Sequence, residues 1–333
     1  VEHAPAAIGP ANLVSVVTDA GIPVLTGHVV RQAEGGADGV EALVLARVDA
    51  EGSPDLGSQT RIDCDAIVLG VAAVPVIELL DALGCHIAFQ PERGGHAPVL
   101  DAAQRTSLGF VYAVGDCAGI WPSKTLDPAV AEAEGRRAAA HVASSLGASA
   151  AIEAGAPLRP DTPSHDLSAY RLGWVRAAVV EACGEPHVCQ CEEVTAREIL
   201  EVRPPRYLGW PDSKRNSRDL GSLLGEGPPN PDQVKRLTRA GMGSCQGRRC
   251  REQVAALLAL SAGVPLSEVP LATHRAPVRP LPLAVAGDAQ EPVEMAEHWD
   301  TWFGMPSQYL PYWEVGAFYT VADGRRDGPV ASE

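Results

Sequence analysis

The sequence predicts an α/β fold followed by a small, mainly helical module that contains paired cysteines. Strand-length apolar segments separated by Gly and Asp turns occupy residues 22–74. The apolar run Phe110–Val114 ends in Gly115-Asp116 and precedes an Ala-, Glu- and Arg-rich segment. A strand, a glycine turn and a helix in that order are typical of an α/β unit. Farther along the chain, two cysteine pairs flank segments of helical composition.

Individual elements follow from the hydrophobic patterns and the turn residues. Strands are predicted at Ile22–Thr26, Val40–Val48 and Ile62–Val71, and Phe110–Val114 has the length of a buried strand. Helices are predicted at Val76–Leu83, Asp127–Leu146, Val194–Val202, Asp232–Ala240 and Arg251–Ala262.

Changes in composition predict the domain boundaries. Residues 147–163 are rich in Ala, Gly and Pro, and residues 203–231 have the Pro, Gly, Ser and charge content of an extended insertion. We predict four parts: an α/β domain at 1–150, a linker at 151–186, a cysteine domain at 187–286 and an aromatic-rich tail at 287–333. We expect that tail to dock on a partner or on the parent domain rather than to line a ligand pocket.

The charge of the chain excludes several classes of partner. The formal net charge is -15, with 42 acidic residues and no basic stripe to offset them, so phosphate backbones and anionic lipids would be repelled. No apolar run reaches the roughly 20 residues of a membrane-spanning helix, and the first residues lack the pattern of a secretory signal. We expect a soluble, cytoplasmic protein that has no membrane span and binds no nucleic acid.

The spacing of the cysteines predicts a metal centre. Four of the eight form two close pairs, at Cys189 and Cys191 and at Cys245 and Cys250, while the other four are scattered. Without signs of secretion, thiols kept reduced for metal binding are favoured over disulfides. Four thiolates match the four terminal positions of a 2Fe-2S cluster. Structural zinc and buried thiols without a ligand remain as alternatives.

The loop between residues 241 and 250 has the composition that a cluster needs. Its glycines free backbone N–H groups to approach sulfur, and Arg248 and Arg249 can offset the negative charge of a thiolate-ligated cluster. His187 lies two residues before Cys189 and could tune a cluster by hydrogen bonding, although a surface histidine is the favoured interpretation.

Residues Val188–Thr195 and Leu237–Cys250 closely resemble the bacterioferritin-associated-ferredoxin-like 2Fe-2S domain. The version they resemble occurs in flavoprotein subunits of opine oxidases, hydroxyproline dehydrogenases, hydrogen cyanide synthase and the α-subunit of heterotetrameric sarcosine oxidase. The resemblance extends over about residues 188–282. It departs from the small ferredoxins in the long insertion between the cysteine pairs, which we expect to loop out without moving the ligands.

The segment Thr106–Asp116 resembles the late flavin-binding motif of two-dinucleotide-domain flavoproteins. The resemblance implies a partial two-dinucleotide-binding flavoprotein domain, with Gly115 and Asp116 as FAD contacts. A carboxylate at a strand end can accept a hydrogen bond from a ribityl hydroxyl, and glycine lets the cofactor pass close to the backbone. An ordinary turn with a solvated aspartate is the alternative.

The phosphate-binding Gly-x-Gly-x-x-Gly pattern is missing from the sequence, since Gly9-Pro-Ala-Asn and Gly70-Val-Ala-Ala both break it. We expect that a second polypeptide supplies this part or that the chain is a fragment. The chain alone is therefore not expected to hold FAD tightly.

Together, the resemblances imply an electron-transfer subunit of a heteromeric flavin-dependent amine or amino-acid dehydrogenase or oxidase, with an opine-, proline- or sarcosine-like substrate. A flavin-containing partner subunit would oxidise the substrate to an imine, and electrons would pass through the 2Fe-2S cluster and FAD of this chain. No catalytic acid or base is then expected here. The alternative is a non-enzymatic iron-sulfur electron carrier or assembly protein.

Overall fold

The computed structural model describes residues 1–49, 52–71, 73–148, 160–161, 166–209, 218–287 and 293. The chain divides into two compact units, Val1–Pro280 and Leu281–Glu333. In the second unit the described element is the exposed helix α10 (Leu283–Gly287). The aromatic tail lies outside the described residues, and the boundaries predicted at 150, 186 and 286 stay predictions.

A three-stranded antiparallel sheet forms the first layer of the larger unit. Strands β1 (His28–Gly36), β2 (Gly39–Val48) and β3 (Pro54–Asp63) lie in that order, and a two-residue turn joins β1 to β2. Its buried residues include Val29 and Leu45. Strand β2 contains the apolar run Ala42–Ala46, in which Ala42, Leu45 and Ala46 are fully buried, and the predicted strand Val40–Val48 is confirmed.

The remaining strand predictions fail in the described structure. Ile22–Thr26 forms only one bridge, from Thr26 to Glu2, and β3 ends at Asp63, after which Val68 is 95% exposed. Phe110–Val114 is not a buried strand, because Phe110 is 81% exposed and the segment makes a single bridge. An apolar run becomes a buried strand only where a neighbouring strand pairs with its backbone, and no described strand runs beside these segments.

Helices and a hairpin complete the part of the chain before residue 150. They are α1 (Ala11–Asp19), α2 (Glu78–Ala82), β4 (Ile87–Gln90), β5 (Gly95–Pro98), α3 (Pro122–Leu126) and α4 (Pro128–Ser145). Helix α4 starts where the sequence predicts, because the Asp127 carboxylate accepts a hydrogen bond from Ala129 N–H and Pro128 occupies the first position. Helix α2 confirms the predicted helix Val76–Leu83 in shorter form.

The later part of this unit is mainly helical. Its elements are α5 (Leu167–Val175), β6 (His187–Cys189), β7 (Val194–Thr195), α6 (Ala196–Leu200), α7 (Leu220–Glu226), α8 (Pro231–Thr238) and α9 (Arg251–Ala262). Helix α9 matches its predicted range and is buried on most sides. The predicted insertion at 203–231 does not loop out entirely, since Leu220 and Leu223 of α7 pack into the core with α9. No helix in the described ranges is long and apolar enough to span a bilayer.

Buried ion pairs tie the helical part to the first part. Arg251 Nη1 donates to Glu78 Oε1 at 2.6 Å, and both side chains are at most 5% exposed. His274 Nδ1 lies 2.6 Å from Oδ2 of Asp81, which belongs to α2 as Glu78 does. Burial alone would raise the pKa of Asp81, but hydrogen bonds from His274 outweigh it and hold that pKa below its ordinary value.

A second buried ion pair joins α3 to α4. Lys124 Nζ lies 2.8 Å from Glu134 Oε2, and the two side chains are 2% and 1% exposed. Lys124 Nζ also lies 4.4 Å from the centre of the Trp121 ring. Burial lowers the pKa of Lys124, although Glu134 opposes this effect. Charges this deeply buried are tolerated only as a pair, because either one alone would lack compensation.

Replacement of Asp81 tests the first contact. A carboxyl group with a lower pKa in the folded state than in the unfolded chain stabilises the fold above its ordinary pKa of 3.8, and this contribution disappears as the pH falls through the folded value. We expect Asp81→Asn to lower the free energy of unfolding at pH 7 by about 2 kcal/mol. The free energy of unfolding of this variant should also fall less than that of the wild type as the pH is lowered. Chemical denaturation from pH 7 to pH 3 measures both. Glu226→Gln, in an exposed pair with Arg218, is the control, and an equal effect of both variants would contradict the expectation.

Replacement of Glu134 tests the second pair. Glu134→Ala leaves the Lys124 ammonium buried without its partner, and we expect a loss of about 3 kcal/mol in the free energy of unfolding. The apolar double variant Lys124→Met/Glu134→Leu should lose less. Glu132→Ala removes an exposed ion pair with Arg136 on the same helix and should cost under about 0.5 kcal/mol. Urea denaturation compares the three, and a Glu134→Ala loss no larger than that of Glu132→Ala would refute the assignment.

Candidate functional site

The four paired cysteines lie on two loops that meet in the helical part. Cys189 ends β6 and Cys191 lies in the following 3₁₀ turn, Gln190–Glu192. Cys245 belongs to the loop between α8 and α9, and Cys250 is the N-cap residue of α9. The short β6 strand and the start of α9 therefore fix one cysteine of each pair.

The structure brings the sulfur atoms of these cysteines together. Cys189 Sγ lies 3.9 Å from Cys191 Sγ, and Cys191 Sγ lies 3.6 Å from Cys245 Sγ. Cys250 is hydrogen-bonded to Cys189, which adds the fourth thiol to the group. The scattered cysteines Cys64, Cys85, Cys117 and Cys183 are free thiols elsewhere in the chain.

The sulfur spacing fits thiolates that share a metal centre. Metal–sulfur bonds of about 2.3 Å in tetrahedral geometry place neighbouring sulfurs about 3.8 Å apart, close to the separations within this group. No set of three or more His, Cys, Asp or Glu side chains in the described ranges has the geometry of a site for one metal ion. The thiols instead form a chain of pairwise contacts, in the order Cys245, Cys191, Cys189, Cys250. The donor set suits either iron or zinc.

Glycine allows the two loops to approach each other. A Cβ atom on Gly243 would lie 2.5 Å from Cys191 Sγ, so no larger residue fits there without displacing the sulfur. Gly241 has a φ of +86°, and its N–H donates to Cys189 Sγ at 3.4 Å. The N–H groups of Glu192 and Cys245 are hydrogen-bonded to Cys189 and Cys191. Backbone donors from both loops can thus stabilise negative charge on the sulfurs.

The thiols differ in their tendency to ionise. A hydrogen bond from Cys250 lowers the pKa of Cys189 to about 6, whereas burial raises the pKa of Cys191 to about 11. The pKa of Cys250 is raised because its proton is held against Cys189. Cys189 is therefore the first to become a thiolate, and a bound cation would favour loss of the remaining protons.

A cavity of about 380 Å³ opens beside the sulfurs and has room for more than one ion. Its lining consists of the four cysteines with Gln190, Ser244, Arg248, Arg249 and Pro280. Arg249 donates to the Gln190 side chain at 3.2 Å, and Arg248 donates to the Val278 carbonyl at 2.8 Å. Both predicted arginines thus lie at the site. His187 is exposed on β6, as a surface histidine would be.

The Gly115-Asp116 turn lies at the start of a 3₁₀ turn, Gly115–Ala118. Gly115 has a φ of +69°, its N–H donates to Glu134 at 2.7 Å, and its carbonyl accepts from Lys124 at 2.6 Å. The buried pair therefore holds this turn from both sides, while Asp116 is exposed. Sequence reasoning missed Lys124 and Glu134, because no local pattern marks a pair that forms only when two helices pack.

Two families match parts of the chain. Residues 11–147, which include the Gly115-Asp116 turn, match the family described as pyridine nucleotide-disulphide oxidoreductase. Residues 216–290, which include Cys245 and Cys250, match the sarcosine oxidase A3 domain.

Among curated proteins, the chain is similar to an opine oxidase subunit from Rhizobium meliloti, at 29% identity over 68% of this chain and 40% of that protein. The opine oxidase subunit of R. meliloti strain 1021 is 27% identical over 88% of this chain and 59% of that protein. Hydrogen cyanide synthase subunit HcnB from Pseudomonas aeruginosa is 29% identical over 69% of this chain and 45% of that protein. The chain spans about half the length of these relatives.

Among solved structures, L-proline dehydrogenase from P. horikoshii superposes with a TM-score of 0.51 at 20% identity. The match covers 85% of this chain and 49% of that one. Together with the family matches, this similarity confirms the predicted fold class: a mixed α/β chain with a dinucleotide-binding-type domain followed by a helical domain.

Proposed function

We propose that this chain is an electron-transfer subunit of a heteromeric flavin-dependent dehydrogenase or oxidase. Its substrate class is an amine or amino acid of the opine, proline or sarcosine type, oxidised at the bond between carbon and nitrogen. In this proposal Cys189, Cys191, Cys245 and Cys250 hold a 2Fe-2S cluster, and Gly115 and Asp116 contact FAD. A flavin-containing partner subunit oxidises the substrate.

The convergence of four thiols from two loops is the observation that carries the proposal. Four sulfur ligands with glycine-lined backbone donors and nearby arginines match the needs of a thiolate-bound cluster, which is negatively charged. A 2Fe-2S cluster would supply one-electron transfer between a two-electron donor and a one-electron acceptor. The role of this chain is to bind and orient its cofactors, and no catalytic acid or base is assigned to it.

The flavin part of the proposal rests on the turn at Gly115-Asp116 and on the family match over residues 11–147. The buried Lys124–Glu134 pair sets the position of that turn before any cofactor arrives. Since the sequence lacks a Gly-x-Gly-x-x-Gly phosphate cradle, we propose that another chain or segment binds the ADP half of FAD. Relatives named as subunits of larger enzymes are consistent with such an assembly.

Metal analysis of protein purified without oxygen tests the cluster. We expect about two irons and two sulfides per chain, with visible absorbance that is partly bleached on one-electron reduction. Cys245→Ser should lose the iron, whereas Cys183→Ser, which replaces an exposed scattered thiol, should retain it. One zinc per chain without iron would refute the cluster and establish the structural zinc alternative.

Flavin extraction tests the shared FAD site. The chain purified alone should retain much less than one FAD, because the ADP phosphates would lack their cradle, while the complex isolated with its natural partners should contain FAD. In that complex we expect Asp116→Asn to release flavin more readily than Asp55→Asn, a control in the exposed strand β3. Stoichiometric FAD on the isolated chain would contradict the proposal. A complex that holds the cluster but no flavin would instead favour the iron-sulfur carrier.

A further inference from the structure

A group of three polar side chains bridges the two cysteine loops without using any cysteine. Glu192 follows Cys191 directly, and its carboxylate Oε2 accepts hydrogen bonds from Tyr207 Oη at 2.6 Å and Arg239 Nε at 2.7 Å. Arg239 Nε also lies 3.2 Å from Tyr207 Oη, so the three groups contact one another. Hereafter Glu192, Tyr207 and Arg239 are called the loop bridge.

The loop bridge connects the segments that position the sulfurs. Arg239 is the C-cap residue of α8, with a φ of +63°, and its carbonyl accepts a hydrogen bond from Met242 N–H at 3.0 Å. It therefore starts the turn that delivers Gly241 N–H to Cys189. On the other side, Glu192 ends the 3₁₀ turn that contains Cys191. A contact between these two residues fixes one loop against the other.

The close approach of the loops depends on the position of Glu192. A Cβ atom on Gly243 would lie 2.5 Å from Cys191 Sγ and 3.0 Å from Glu192 Cγ. The side chain of Glu192 thus lies against the second loop along its length, and its carboxylate reaches Arg239 beyond it. Because the Glu192 side chain is only 10% exposed, its negative charge needs these two donors.

The loop bridge differs from the ordinary ion pairs of the same region. Exposed ion pairs contribute little to stability, because solvent screens their charges and forming the pair costs the conformational entropy of two long side chains. Arg197 is such a case: its side chain is 60% exposed and contacts Glu185 and Glu201, at 3.0 and 2.9 Å, without reaching the second cysteine loop. The contact between Glu192 and Arg239, in contrast, joins residues 47 positions apart in sequence, and although Arg239 is 39% exposed, the Glu192 side chain is only 10% exposed.

We propose that Glu192, Tyr207 and Arg239 hold the two cysteine loops together in the metal-free chain, so that the four thiols are assembled before a metal or cluster binds. The three are positioning residues and touch no bound group themselves. The inference deepens the proposed cluster site and rests on it for its function, but the preassembly of the thiols can be measured without any metal. Preassembly would lower the ordering cost of cluster binding.

Disulfide trapping in the metal-free chain tests the proposal. The full chain is stripped with chelator and reductant, desalted without oxygen and treated with diamide, which oxidises two thiols to a disulfide and takes up their two electrons and two protons. Peptide mass spectrometry then follows the disulfides between loops, Cys191 to Cys245 and Cys189 to Cys250. We expect Arg239→Gln to slow their formation roughly tenfold, because loss of the bridge lowers the effective concentration of one loop at the other.

Matched variants separate this role from a general effect on folding. Arg197→Gln removes an arginine of similar pairing and should trap at the wild-type rate, while Arg239→Lys should recover part of the loss. Circular dichroism verifies that each variant is folded. If Arg239→Gln does not fold, Tyr207→Phe replaces it, since it removes one donor to Glu192 and keeps the ring. The proposal would be overturned if the wild type, Arg239→Gln and Glu192→Gln form the disulfides at equal rates. Where Tyr207→Phe replaces Arg239→Gln, equal rates in the wild type and Tyr207→Phe would overturn it.

A second measurement uses the loaded protein. The time course of metal release to a strong chelator, followed by visible absorbance, should be several-fold faster in Arg239→Gln than in Arg197→Gln. The two measurements fail independently. If the wild-type chain never binds iron but its loops still trap faster than those of Arg239→Gln, the cluster is refuted and the loop bridge stands.

Discussion

The buried contact between Arg251 and Glu78 is the constraint on which the arrangement of the two parts depends. Arg251 follows Cys250 directly and opens α9, whereas Glu78 begins α2 in the dinucleotide-binding-type part. The side chains are 3% and 5% exposed, so neither charge can leave the other without a large desolvation cost. A residue next to a candidate ligand is thereby anchored in the neighbouring part. His274 with Asp81 and His96 with Glu252 add two more contacts across the same boundary.

Local signals in the sequence account for helices α2, α4, α6, α8 and α9 and for the convergence of the cysteines, whereas α1, α3, α5 and α7 were not predicted. Asp127 and Pro128 specify the start of α4 by capping chemistry, and α9 follows from a long apolar-rich run without Gly or Pro. The cysteine spacing predicted which four of eight thiols converge. The helix boundaries are determined by a few neighbouring residues, and the cysteine site is predicted by a residue type whose thiolates bind metals.

Predictions that depended on distant partners were less successful. Phe110–Val114 has the composition of a buried strand, but strand formation needs a neighbouring backbone, and the described residues provide none beside it. Lys124 and Glu134 look like ordinary surface residues in sequence and become a buried pair only through the packing of α3 on α4. The contact between Glu192 and Arg239 likewise joins residues 47 positions apart, and nothing in the intervening sequence predicts that they meet. Propensity and spacing do not encode such tertiary effects.

The cysteine site is asymmetric, and this asymmetry follows from the same contacts. Cys250 is buried at the start of α9, beside the residue that reaches into the first part, whereas Cys191 is exposed on the opposite loop. A group held by the four sulfurs would have one edge in the protein core, near the Arg251–Glu78 contact, and one edge open to solvent. Electron transfer between an internal cofactor and an external acceptor requires a centre that is accessible from both directions. In the proposed function, the four sulfurs would hold such a centre, because α9 positions Cys250 and, in our proposal, the loop bridge holds the other cysteine loop against it.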